Sequence, residues 1–174
     1  MIATGGQPKT LEAFTNIGPD HVTTYHNVQD FMKMEALIAN KKIDSVAIIG
    51  GGLLGTELAY SMALQSPKTG LKITQILNGK GHLTKILPEY LSNWITNKMK
   101  SEGVQIFDET TVKSANLDDQ GKVNVTTNSG KSVKVDHVVL AIGESNVNVT
   151  CFVILWDFLV NSFTIAIWFV KCFS

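Results

Sequence analysis

Six consecutive residues carry the spacing Gly-x-Gly-x-x-Gly, which predicts a turn that holds the pyrophosphate of a dinucleotide. The first glycine permits a tight turn, the second lets the backbone approach the pyrophosphate, and the third lets a helix pack closely on a strand. The helix that follows offers unpaired N–H groups and the positive end of its dipole to phosphate oxygens. The alternative is a strand-to-helix turn that binds no ligand. The predicted cofactor-binding residues are Gly50, Gly51, Gly52, Leu53, Leu54 and Gly55.

The carboxylate that usually accompanies this turn is missing. An Asp or Glu about 20 residues downstream normally bonds the hydroxyls of the adenosine ribose. Here the second strand ends at residues 77–79, which contain no acid, and the nearest downstream acid is Glu89 in the next helix. Lys80 and Lys85 lie close by, and a lysine there would favour the 2′-phosphate of NADP(H). Both are equally well read as solvated loop lysines, so NAD(H) and NADP(H) both stay open.

One further polar residue and four histidines are candidates for chemistry. Glu57 lies in the first turns of the helix, where it could contact the nicotinamide end of a dinucleotide or merely favour the helix N-terminus. The histidines have no metal-ligand spacing, so we expect them at the surface or satisfied by hydrogen bonds. No catalytic residue and no metal ligand is predicted. The histidines are His21, His26, His82 and His137.

The elements that must position these residues alternate between strands and helices. Continuous apolar runs predict buried strands at residues 45–49, 71–77, 104–107 and 138–142. Helical patterns cover residues 27–40, the stretch from the glycine turn to about Gln65, and the stretch from Pro88 to about Gly103. Short strands at residues 111–117, 123–127 and 132–135 alternate with turns. This order predicts an α/β fold: a doubly wound, Rossmann-like parallel sheet with a three-stranded antiparallel meander in place of one crossover helix.

Composition gives little direct evidence of a partner. The formal net charge is zero, and the 15 basic residues are all lysines. A DNA-binding surface normally uses arginine to read bases and phosphates, so nucleic acid is weakly supported. No Cys-x-x-Cys pair is present for dithiol chemistry. The first residues show no secretory or mitochondrial targeting pattern.

The last part of the chain differs from the rest. Residues 151–170 are strongly apolar and long enough for a membrane span, although Asp157 and Asn161 lie inside the stretch. There are two alternatives to a membrane span. The stretch could pack on a sheet edge, or it could be a non-homologous end from an altered transcript, which is the favoured interpretation. The domain boundaries we predict from the patterns are 28–149 as a dinucleotide-binding domain and 150–174 as an apolar tail.

Four stretches, in this order and spacing, resemble a known superfamily. They are IATGGQP from Ile2, IIGGGLLGTELA from Ile48, KILPEYLSNW from Lys85 and DHVVLAIG from Asp136. Together they resemble the NADH-binding domain of the pyridine-nucleotide/flavin oxidoreductases. The third stretch is narrower and is similar to the apoptosis-inducing factor family of mitochondrial flavoproteins. The resemblance covers residues 1 to about 149.

The resemblance implies a flavin-dependent enzyme that oxidises NAD(P)H and binds FAD in the complete protein. It also implies a mitochondrial location, a role in respiratory-chain upkeep and cell death, and a homodimer on reduction. Glu57 matches the nicotinamide-side glutamate, and Lys85 matches a lysine beside the dinucleotide. Gly143 matches the glycine after the last strand. Thr4 and Gly5 match a segment that touches the flavin, so the resemblance implies that residues 1–27 are the remnant of a flavin-domain junction.

The sequence also departs from this family. Leu53 stands where the family has a phenylalanine near the nicotinamide, and the ribose acid is replaced around Gly79. The flavin glycine turn and the late Gly-Asp-Ala segment of the family are not found in the 174 residues. We therefore expect an NAD(P)H-binding domain that does not turn over alone. The alternative is a non-enzymatic module that binds a dinucleotide or a partner protein and is tethered to a membrane by its tail.

Overall fold

The computed structural model of the protein describes residues 6–146. These residues belong to two units, of which the larger spans Pro8–Gly143. Strand β1 (Gly6–Pro8) pairs with strand β10 (Glu144–Asn146) in a two-stranded sheet. The predicted apolar tail and the predicted flavin-side residues Thr4 and Gly5 lie outside the described residues.

A sheet of five parallel strands forms the centre of the larger unit. Strand β3 is its middle strand, with β4 and β5 on one side and β9 and β2 on the other. The direction of winding therefore reverses at β3, and the predicted doubly wound parallel sheet is confirmed. The order across the sheet is β2 (Val22–Thr23), β9 (His137–Leu140), β3 (Ser45–Ile49), β4 (Lys72–Ile76) and β5 (Gln105–Phe107).

The sequence patterns predict no strand at the position of edge strand β2. The prediction is wrong here because two residues are too few to show a period. The strand forms through distant pairing, since Val22 is in register with Val138. The N–H of Val138 also donates to the carbonyl of His21 at 2.8 Å. Strand β2 is thus held by residues more than a hundred positions away.

Three helices cover one face of the sheet. They are α1 (Val28–Ala39), α2 (Leu53–Thr69) and α3 (Glu89–Ser101). Helix α1 begins at a capping box in which Asn27 and Asp30 each accept a backbone N–H of the other. Helix α2 is longer than predicted. It continues past Gln65 through Pro67 and ends at Gly70, whose left-handed φ of 76° closes the last turn.

The antiparallel meander covers the other face. It consists of β6 (Val112–Leu117), β7 (Val123–Thr127) and β8 (Ser132–Val135) in that spatial order. Since it connects β5 to β9, it stands in the place of a crossover helix, as the sequence predicts. The connection leaves the sheet with helices on one side and strands on the other.

Two hydrophobic cores follow from this layering, and β3 contributes to both. Val46 and Ile48 point into the core under the helices, whereas Ala47 and Ile49 point into the core under the meander. Alternation along one strand therefore supplies two buried faces, which explains why the sequence of β3 is continuously apolar. Phe14, in the segment predicted as a junction remnant, is buried in the meander-side core.

Within residues 6–146, no helix combines the length and hydropathy needed to cross a membrane.

Candidate dinucleotide site

The glycine turn begins where β3 ends. Gly50 has a φ of +123°, a conformation that residues with a side chain rarely adopt. A Cβ at this position would also collide with the carbonyl oxygen of Ala141, which follows β9. The turn therefore requires glycine for two separate reasons, backbone conformation and the close approach of the neighbouring strand.

The next two glycines open the turn toward helix α2. Gly51 accepts a hydrogen bond from the N–H of Leu83 at 2.8 Å, which ties the turn to the loop after β4. Gly52 is the N-cap of α2, and among the described residues no side chain caps the helix there. A Cβ on Gly52 would meet no atom of residues 6–146 within 4 Å. The helix thus presents its first N–H groups, which have no intrahelical partner, beside open space.

Gly55 fixes the position of the helix against the sheet. It is buried, and a Cβ there would collide with the carbonyl oxygen of Gly50 and lie 3.3 Å from the Cβ of Ala141. The N-terminus of α2 can therefore approach the end of β3 only with glycine at this position. Helix, turn and β9 form one closely packed unit.

A cleft of about 440 Å³ lies at the carboxyl ends of the parallel strands. This edge of a doubly wound sheet, where the winding reverses, is where such folds bind ligands. Its walls come from the glycine turn, the loop after β4, the start of β6 and the end of β9. The lining residues are Leu11, Ile49, Gly50, Gly51, Gly52, Ile76, Leu77, Asn78, Gly81, Leu83, Thr84, Lys85, Ile86, Thr110, Thr111, Val112, Ala141, Ile142 and Gly143.

A buried hydrogen-bond chain runs behind the glycine turn. The side-chain amide of Gln75 donates to the carbonyl of Gly50 at 2.9 Å, and Gln75 Oε1 lies 2.8 Å from His82 Nε2. His82 Nδ1 lies 3.0 Å from Thr96 Oγ1 on α3. Because Gln75 uses its N–H₂ group on Gly50, its oxygen must accept from His82, which assigns the proton to Nε2. The chain connects the turn to helix α3.

His82 is fully buried and uncharged at neutral pH. Burial, with a smaller contribution from the positive charge of Lys100, lowers the pKa of His82 to about 4. The histidines are expected to lie at the surface or to have hydrogen-bond partners. His82 is of the second kind, since both of its ring nitrogens have partners. The sequence did not indicate its connection to the glycine turn.

The second buried histidine lies at the other end of the sheet. His137 Nε2 is 2.8 Å from Thr23 Oγ1, whereas Nδ1 has no hydrogen-bond partner among the described residues. Burial lowers the pKa of His137 to about 4, with a smaller contribution from the charge of Lys33. No group of three or more His, Cys, Asp or Glu side chains within residues 6–146 is arranged to hold a metal ion.

The residues predicted from the sequence divide between the cleft and its surroundings. The cleft is lined by Gly50, Gly51, Gly52, Lys85 and Gly143. Among the other predicted residues, Gly55 is buried behind the turn, whereas Leu53, Leu54, Glu57 and Lys80 are exposed and lie outside the cleft lining. The roles of Glu57 and Lys80 stay predictions.

Comparisons with known proteins agree with this geometry. A sequence model of a family described as pyridine nucleotide-disulphide oxidoreductase matches residues 1–150. Apoptosis-inducing factor 1, mitochondrial, of Dictyostelium discoideum is 35% identical over 144 residues, which are 82% of this chain and 27% of that protein. The putative apoptosis-inducing factor 1, mitochondrial, of Drosophila melanogaster is 34% identical over 147 residues, 82% of this chain and 20% of that protein.

A solved structure supports the fold independently. The water-forming NADH oxidase of Lactobacillus brevis, bound to NADH, superposes with a TM-score of 0.67 at 24% sequence identity. The match covers 80% of this chain and 29% of the oxidase. The chain therefore spans between a fifth and about a quarter of the length of the curated relatives above, and less than a third of the oxidase.

Proposed function

The chain belongs to the pyridine nucleotide-disulphide oxidoreductase family, and from this premise we propose that it binds NAD(P)H in the cleft at the carboxyl ends of its strands. The observation that carries the proposal is the turn itself. Gly50–Gly52 line the cleft, and Gly52 leaves open space beside the uncapped N-terminus of α2. Backbone N–H groups directed into open space are what a pyrophosphate requires.

The residues present fit a dinucleotide in shape and charge. Gly51 and Gly52 would hold the pyrophosphate, and Lys85 would add a positive charge at the rim of the cleft. The apolar residues Ile76, Leu77 and Ile142 line the cleft and would exclude water from the rings of the nucleotide. When bound, the nicotinamide supplies a hydride. The part of this chain is to bind and orient the dinucleotide.

We further propose that the chain is the NAD(P)H-binding domain of a flavin-dependent oxidoreductase of the apoptosis-inducing factor type. The support is the identity to two proteins of that name, each over 82% of this chain. The mitochondrial location, the roles in respiratory-chain upkeep and cell death, and the homodimer on reduction belong to this proposal. Turnover would require a flavin, so we expect the 174 residues alone to bind NADH without oxidising it.

Substitution of Gly52 by aspartate tests the binding proposal without weakening the fold. Aspartate is a favourable N-cap, so Gly52→Asp should leave the free energy of unfolding unchanged or slightly higher. Its carboxylate would stand where a pyrophosphate must lie and repel it. The matched control is Gly18→Asp, since a Cβ on Gly18 also meets no atom of residues 6–146 within 4 Å.

The affinities are measured by titration of NADH and NADPH into the purified chain, with cofactor fluorescence as the signal. We expect binding in the wild type and in Gly18→Asp, and a loss of at least tenfold in affinity in Gly52→Asp. Equal affinity in all three proteins would contradict the proposed site. The absorbance spectrum of the same preparation tests the second proposal: a yellow protein that oxidises NADH would show that the 174 residues already hold a flavin.

A further inference from the structure

The position that should supply the ribose carboxylate is occupied by glycine and crowded by a neighbouring side chain. Gly79 follows β4, where sites of this kind place Asp or Glu. A Cβ on Gly79 would lie 2.7 Å from Thr84 Oγ1, too close for an ordinary contact. The residue before it, Asn78, lines the cleft but is uncharged. Among the described residues, no Asp or Glu lines the cleft.

Strand β5, which neighbours β4, is followed by an acid, Glu109, that lies beside the end of β4. Strand β5 is parallel to β4, with Phe107 in register with Ile76. Beyond Phe107 the chain continues along the end of β4, because Thr110 N donates to Leu77 O at 2.8 Å and Glu109 N donates to Gly79 O at 2.9 Å. Neighbouring strands lie about 4.8 Å apart, which is within the reach of a glutamate side chain.

Glu109 has an unusual backbone and an unused carboxylate. Its φ is +47°, in the left-handed region that glycine and asparagine prefer. Such a conformation in a residue with a long side chain is a reason to look for function. The carboxylate is exposed and makes no ion pair or hydrogen bond within residues 6–146. The preceding acid, Asp108, instead lies 3.9 Å from Lys100 Nζ.

We propose that Glu109, on the neighbouring strand, replaces the missing acid and accepts hydrogen bonds from the adenosine ribose hydroxyls of the dinucleotide. This inference rests on the proposed function. It makes the site selective for NAD(H), because the same carboxylate repels the 2′-phosphate of NADP(H).

The test compares NADH and NADPH affinities in the full 174-residue chain. We expect the wild type to bind NADH more tightly. Glu109→Gln should weaken NADH binding about tenfold, since a hydrogen bond to a charged acceptor is lost, while NADPH binding stays equal or becomes tighter. Asp108→Asn is the matched control one residue away, and it should change neither affinity.

A second variant separates recognition from folding. Glu109→Gly should raise the thermal midpoint, because glycine adopts a positive φ without strain, and should still lose the preference for NADH. A wild type that binds neither nucleotide would overturn the proposed function as well as this inference. Two other results would overturn only the role of Glu109. One is a wild type that prefers NADPH. The other is a Glu109→Gln variant in which the NADH and NADPH affinities change equally or do not change.

Discussion

The side-chain amide of Gln75 donates to the carbonyl of Gly50 at 2.9 Å, which ties the second strand of the β-α-β unit to the first residue of its glycine turn. Gln75 is completely buried and lies in register with Ile48, two residues before the turn. A polar side chain therefore stands in the middle of a sheet because the strongly bent backbone beside it has a carbonyl that needs a donor.

Removal of this amide should lower both stability and affinity. Gln75→Leu leaves Gly50 O and His82 Nε2 buried without their partner, at a cost of about 1–3 kcal/mol for each group. We expect a lower free energy of unfolding in urea and weaker NADH binding. Gln105→Leu is the control, because Gln105 is exposed and its side chain, among residues 6–146, accepts only from Thr74 Oγ1 at 3.2 Å. Equal effects of the two variants would argue against a special role for Gln75.

Stability should fall as the pH decreases from about 6.5 to about 4. The folded-state pKa values of His82 and His137 are lowered to about 4, whereas an unfolded histidine titrates near 6.5. Between these values the unfolded chain binds more protons than the folded chain, so acid favours unfolding. Each histidine should contribute a slope of at most about 1.4 kcal/mol per pH unit.

Urea unfolding across this pH range measures the slope directly. Replacement of His137 by Gln should remove about half of the histidine contribution to the slope. A pH profile that His137→Gln does not alter would show that protonation of this ring is not coupled to unfolding.

Asp136 connects three elements at the amino ends of the strands. Its carboxylate accepts from Asp44 N at 3.0 Å and from Ser45 Oγ at 2.7 Å, and it pairs with Lys122 Nζ at 2.8 Å. Burial raises the pKa of Asp136, but the hydrogen bonds from Lys122, Ser45 and Asp44 outweigh burial and hold the pKa below its ordinary value.

Asp136→Asn should therefore destabilise the fold by about 1–3 kcal/mol and leave dinucleotide affinity unchanged, because the cleft lies at the opposite ends of the strands. The comparison is Asp20→Asn, which removes an exposed pair with Lys33 at 3.6 Å and should cost well under about 1 kcal/mol. Chemical denaturation measures the first effect and NADH titration the second. A change in affinity without a change in stability would contradict the assignment.

The two lysines that follow β4 should behave differently. Lys85 lines the cleft and Lys80 does not. Lys85→Gln should weaken NADH and NADPH binding about three- to tenfold and reduce the salt dependence of affinity, since one charge facing the phosphates is lost. Lys80→Gln provides the matched comparison and should change affinity less than twofold. If Lys80→Gln weakens NADPH selectively, Lys80 faces the 2′-phosphate.

The two reasons for glycine at position 50 can be separated by substitution. Gly130 also has a positive φ, +79°, but a Cβ there meets no atom of the described residues within 4 Å. Gly130→Ala should cost about 1–2 kcal/mol, which is the penalty of the conformation alone. Gly50→Ala adds the collision with Ala141 O and should cost clearly more. Thermal unfolding of both variants gives the comparison, and equal losses would show that β9 can move away.

Local pattern was enough to predict the layout of the sheet, but not the polar contacts behind the turn. The apolar run from Ser45 to Ile49 and the glycines after it have a strong local signal, and the structure has the strand at these bounds. Gln75, His82 and Thr96 show no common period, since they come from a strand, a loop and a helix. Glu109 has no local sequence signal for a related reason. Along the chain the nearest acid after β4 is Glu89, whereas the sheet brings the end of β5 next to the end of β4.

The central position of β3 also affects the order in which the protein can fold. One neighbour, β4, follows directly after helix α2, but the other, β9, is synthesised about 90 residues later, as the pairing of Val46 with His137 shows. Until then the nascent chain exposes one long edge of β3, and the wall of the cleft formed by residues 141–143 does not exist. Such a late, non-local pairing is expected to slow folding. The crowding by Ala141 that excludes a side chain at position 50 arises only when β9 docks. A sequence requirement of the turn therefore comes from the neighbour that is most distant along the chain.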